Sequence, residues 1–64
     1  MKDLMRVEEV SEEIGTPVGT LAYWRHVGSG PRWAKLGRRV VYRRRDLEAW
    51  IDNAFEATEH KATA

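Results

Sequence analysis

Residues 14–42 read IGTPVGTLAYWRHVGSGPRWAKLGRRVVY, and the punctuation of this stretch decides the fold. Thr16 is a good N-cap, and Pro17 suits a first helical position because its missing N–H is not needed there. A helix therefore runs from this point through Leu21 and Trp24 to about Val27. Gly28-Ser29-Gly30-Pro31 then stops it. Beyond the stop, Trp33-Ala34-Lys35-Leu36 and Arg39-Val40-Val41-Tyr42 flank Gly37-Arg38. Two short extended runs about a Gly-containing connection predict a β-hairpin. Alternation predicts Ala34, Leu36, Val40 and Tyr42 facing the core, with Lys35, Arg39 and Val41 facing out.

Working outward, Leu4, Val7, Val10 and Ile14 fall at helical spacing, with glutamates on the other face. This predicts a first helix over 4–14, with Asp3 as a candidate cap and Gly15 as its stop. Only Gly15 separates it from the Thr16 cap, so the two helices form a helix-turn-helix. On the other side, Leu47, Trp50, Ile51, Ala54 and Phe55 recur at i, i+3, i+4, i+7 and i+8, which predicts a closing helix from Arg45 to about Ala57. The expected class is α+β: a small winged helix-turn-helix with a two-stranded wing, spanning residues 1–57. Residues 58–64 are expected to form a flexible tail.

A chain of 64 residues is one small domain. It contains no cysteine, so disulfides, Cys-based zinc sites and thiol nucleophiles are excluded. No apolar run approaches the roughly 18 residues of a membrane span. The acids of MKDLMRVEEV do not suit a signal peptide, so a cytoplasmic protein is expected. His26 and His60 are separated and no phosphate loop exists. No catalytic centre, metal or cofactor is expected.

The net charge of +1 conceals a strong polarity: residues 1–15 carry −3, residues 16–45 carry +8 with no acid, and residues 46–64 carry −4. A basic block of this kind is the electrostatic footprint of a polyanion. Its second helix turns Leu21, Trp24 and Gly28 inward, with Pro17 nearby. Gly19, Tyr23 and His26 lie opposite, flanked by Val18 and Ala22. Small residues at the start allow close approach to a groove, and Tyr23 and His26 supply polar tips. Lys35, Arg38 and Arg39 at the hairpin tip suit phosphates or a narrow minor groove. Among Arg43, Arg44 and Arg45, one is expected to contact phosphate and at least one to pair with Asp46 or Glu48.

Val7-Glu8-Glu9-Val10, Ile14-Gly15, Thr20-Leu21, Trp24-Arg25, Gly30-Pro31, Lys35-Leu36-Gly37-Arg38-Arg39-Val40 and Tyr42-Arg43-Arg44, followed by Asp46-Leu47-Glu48-Ala49-Trp50-Ile51, stand in a recognisable order. Over about residues 4–52 the chain resembles the excisionase-type winged helix-turn-helix family, AlpA-like and related to the DNA-binding heads of MerR regulators. The resemblance implies a second helix in the major groove and a wing on the adjacent minor groove or backbone. By position it implies Pro17, Val18, Gly19 and Tyr23 as groove-facing residues and Lys35, Arg38 and Arg39 as wing contacts. His26 joins the first set, and Arg25 and Arg43 join the backbone contacts. The chain departs from the family at Arg6 and Arg45, where cap residues are usual, and at Val18 and Tyr23, where polar groups are common.

The implied function is that of a phage excisionase, a recombination directionality factor. Such a protein binds repeated sites cooperatively, bends DNA and helps an integrase excise a prophage. The expected partners are double-stranded DNA, further copies of the chain and a phage integrase, in the nucleoid of a bacterial host. A small phage or prophage transcriptional regulator is the alternative. A protein-interaction module that uses the acidic ends and ignores DNA is a third reading.

Overall fold

The computed structural model describes residues 3–58. The elements run β1 (Leu4–Arg6), α1 (Val7–Ile14), α2 (Val18–Val27), β2 (Ala34–Leu36), β3 (Arg39–Arg43) and α3 (Arg44–Thr58). Three helices accompany a three-stranded antiparallel sheet of order β1-β3-β2. This is the α+β winged helix-turn-helix expected, with one strand more.

That strand corrects the reading of 4–14 as a single helix. Leu4, Met5 and Arg6 pair with Arg43, Tyr42 and Val41, and the Arg44 N–H donates to the Asp3 carbonyl at 2.8 Å. Helical spacing at 4 and 7 misled because Met5, the inward residue of the strand, lies between them. It is buried to 4% exposure. Asp3 is not the cap. Arg6 is the N-cap residue of α1, with extended backbone. Glu9 Oε1 accepts from its N–H at 2.8 Å, so the N–H of the N-cap residue is satisfied from within the helix.

α1 ends where expected, on Gly15 in the left-handed region at φ 69°. Its N–H and that of Thr16 both reach the Ser11 carbonyl. Only a residue without Cβ adopts this φ freely. The start of α2 lies one residue later than expected. Pro17 is the N-cap residue and its carbonyl accepts from Leu21 N–H at 3.1 Å. Thr16 therefore does not cap α2. α3 begins at Arg44 and continues through Thr58, where the tail was expected to begin. The other expected tail residues, His60 among them, lie outside the described residues.

The register of the hairpin reverses part of the expected facing. Ala34 pairs with Val41, Lys35 with Val40 and Leu36 with Arg39. Directly paired residues share a face of an antiparallel ladder. The two-residue Gly37-Arg38 connection makes Leu36 and Arg39 the closing pair, so Leu36 lies opposite Val40, not beside it. Ala34 and Leu36 are exposed on the outer face, where Val41 is buried. Lys35 shares the inner face with Val40 and Tyr42 but stays exposed at the sheet edge.

The core is Met5, Val10, Leu21, Tyr42 and Leu47. Val7, Ile14, Trp24, Val40, Trp50 and Ile51 pack partly buried around it. Each fully buried apolar side chain contributes about 1.5–3 kcal/mol, so every strand and helix that supplies one is needed. Trp24 and Trp50 join α2 to α3, ring centroids 5.7 Å apart and tilted by 48°. Phe55, expected on the same apolar stripe, is 63% exposed because α3 continues past the body that would cover it.

Candidate nucleic-acid interface

α2 presents its inward and outward sides as its residue sizes dictate. Leu21 is fully buried and Trp24 half-buried, whereas Pro17, Val18, Gly19, Ala22, Tyr23 and His26 are exposed. A Cβ at Gly19 would meet nothing within 4 Å, so the backbone there is bare to an approaching surface. Tyr23, at 62% exposure, is the largest apolar body on this face. No acid lies on α2, and Arg25 falls in its last turn beside His26, where the guanidinium complements the negative end of the helix dipole.

The hairpin projects Lys35, Arg38 and Arg39 into solvent. Arg38 and Arg39 share a groove with Arg25 of α2 and with Arg6, Val7 and Glu8 at the start of α1. Arg25 is half-buried and fixed twice. Its Nη1 donates to the Tyr42 hydroxyl at 2.9 Å, and its guanidinium stands 5.8 Å from the Trp33 ring centroid. The bond also satisfies the phenol that Tyr42 buries in the core.

Arg43 stands apart from this group, in a crevice on the outer sheet face with Leu4, Arg32, Trp33, Leu36 and Asp46. Its Nε donates to Asp46 Oδ2 at 2.7 Å. That hydrogen bond, helped by the charges of Arg43, Arg32 and Arg45, holds the Asp46 carboxyl below its ordinary value, outweighing the partial burial that pushes it up. Arg44 bridges Glu13 of α1 at 3.4 Å and Glu48 of α3 at 3.9 Å. Among the described residues Arg45 makes no ion pair and is exposed. The arginine triplet thus has two members engaged with acids and one facing solvent.

The structure brings Arg25, Arg38 and Arg39 together and leaves Arg43 elsewhere. It also adds Arg6, which the sequence reading treated only as a misplaced cap. Strand pairing between Arg6 and Val41 is what carries it to the hairpin side, and three residues of strand leave little trace in a sequence. Among the described residues there is no group of three His, Cys, Asp or Glu side chains able to hold a metal.

A helix-turn-helix with an acid-free second helix beside a basic hairpin has a counterpart among known families. The family model described as a helix-turn-helix domain matches residues 4–54. The chain belongs to the helix-turn-helix domain family. That family includes small AlpA- and excisionase-like proteins. Its domains are typically non-enzymatic and their fold suggests DNA binding. No curated protein matches the chain significantly, and no solved structure does. Among the described residues no helix is long and apolar enough to cross a membrane.

Proposed function

We propose that this helix-turn-helix protein is an architectural DNA binder of the excisionase type, a recombination directionality factor of a phage or prophage. α2 enters the major groove with Pro17, Val18, Gly19, Tyr23 and His26 toward the bases. The hairpin lays Lys35, Arg38 and Arg39 on the adjacent minor groove or backbone, with Arg25 between them. Arg43 adds a weaker backbone contact through the N–H groups that Asp46 leaves free. The observation that supports this reading is the segregation of charge by element: α2 and the hairpin carry no acid, while α1 carries no base.

A single module of this size covers roughly 600–1,000 Å² of DNA, too little for tight selective binding by one copy. Several copies side by side, cooperating and bending the DNA, supply the rest and present it to an integrase. The neighbour contact is head to tail. Ile14, Trp50, Ile51, Ala54 and Phe55 floor a groove between α1 and α3. Glu13 lines it with them, and its two helices also carry Glu12, Asp52 and Glu56. The outer sheet face of the next copy offers exposed Leu4, Trp33 and Leu36 beside Arg32. Two copies of the acidic groove would repel each other, so the contact is heterologous and does not close into a dimer.

The test is a duplex titration across salt. Phosphate-dominated binding loses affinity with a log–log slope near −0.9 per phosphate neutralised. A flat response would reduce the protein to an interaction module and remove the reading. With steep binding established, co-expression with the integrase of the same element should raise excision. Unchanged excision with altered promoter activity would assign transcriptional control instead.

A further inference from the structure

The groove between the start of α1, α2 and the hairpin holds four arginines, Arg6, Arg25, Arg38 and Arg39, from four different elements and turns of the chain. One acid, Glu8, lines it with them. Arg25 is committed to Tyr42 and Trp33. Among the described residues the side chains of Arg6, Arg38 and Arg39 make no hydrogen bond or ion pair, and no ion pair joins Glu8 to any of the four. Like charges gathered in one groove repel, and no group among the described residues neutralises Arg6, Arg38 or Arg39 at contact distance. An extended polyanion would do so.

We propose that this groove seats a run of DNA phosphates between the major-groove helix and the wing, that Arg6 contacts this backbone, and that Glu8 is the acid that holds down its affinity for any sequence. The proposal rests on the DNA-binding reading and deepens it. Arg6 is suited to the task by its backbone. Pairing with Val41 on one side and the Glu9 bond to its N–H on the other fix the chain where strand becomes helix. The guanidinium therefore leaves from a defined point beside the positive end of α1. Neither constraint uses the side chain, so Arg6→Ala keeps both.

The experiment compares the wild type, Arg6→Ala and Glu8→Gln on random and on selected duplexes at several salt concentrations. Arg6→Ala should weaken binding to both duplexes alike and flatten the slope by about 0.9. Glu8→Gln should strengthen both alike, by about two- to fivefold, the scale of one exposed charge interaction. A steep wild-type slope that Arg6→Ala leaves unchanged overturns this inference alone. A flat wild-type slope overturns the DNA-binding reading and this inference with it. Should Arg6→Ala melt early, Arg6→Gln and the Glu8→Gln arm carry the test. Competition by inorganic phosphate beyond its ionic strength, measured against chloride, would make the groove a free-phosphate pocket and overturn the backbone assignment.

Discussion

In the proposed interface Tyr23 is the side chain set against the bases, because it is large and exposed on the acid-free helix α2. Tyr23→Ala should cost more affinity on the selected duplex than on random DNA, as paired titrations would reveal. Equal losses on both would leave it a backbone contact. Gly30 is decided by a different neighbour. Its φ is +78°, and a Cβ there would sit 2.6 Å from Cε3 of Trp24. Gly30→Ala should therefore destabilise the domain by about 1–3 kcal/mol, measured by chemical denaturation, with Trp24 displaced from Trp50. Asp46 has a folded-state pKa below its unfolded one through Arg43. Its contribution is complete above about pH 4 and fades as the pH falls through the folded value. Asp46→Asn should thus lower the urea midpoint at neutral pH and matter little in strong acid. A constant difference would detach Asp46 from the Arg43 pair. At this scale the sequence was informative for Trp24 and Tyr23, whose sides follow from helical spacing. It was silent on Arg6, whose role depends on a partner strand far along the chain.

Elements differ in how much of themselves they write locally. α2 and α3 were legible to within a residue or two, since ten or more residues of period 3.6 and firm stops leave a redundant pattern. β1 has three residues, one of them inward, and its reason for being a strand lies in β3. The facing of the hairpin failed for a related cause: alternation gives two faces, but only the turn length says which residues of the two strands share one. The arginines at its tip are unaffected by that reversal because both project from the end. Replacing Arg38 and Arg39 with Ala should weaken binding to every sequence and flatten the salt slope by about 2. Unchanged binding to random and selected DNA would remove the hairpin from the interface.

At the scale of the whole molecule, near-neutrality is the sum of a basic middle and two acidic ends. Among the described residues the acids of those ends, Asp3 apart, lie on α1 and α3, whose groove exposes Phe55. Phe55→Asp should leave affinity for a single short site unchanged and abolish cooperative occupation of adjacent sites, as gel shifts on one-site and multi-site duplexes would report. Cooperation that survives the change would move the neighbour contact elsewhere. The charge polarity was plain from the sequence; that Glu13 lines an apolar groove between α1 and α3 needed the fold.

β1 also sets a timetable. The residues of β1 complete their ladder only with β3, the central strand, which is made after both helices of the helix-turn-helix. During synthesis from the N-terminus, Met5 has no sheet to join and Arg6 no anchor until Tyr42 and Val41 have emerged. The earlier helices, though local, therefore wait on a late strand for much of their core. The nascent chain acquires its full basic surface only when nearly all of the domain has left the ribosome, so competence to grip a polyanion arrives together with the closed fold.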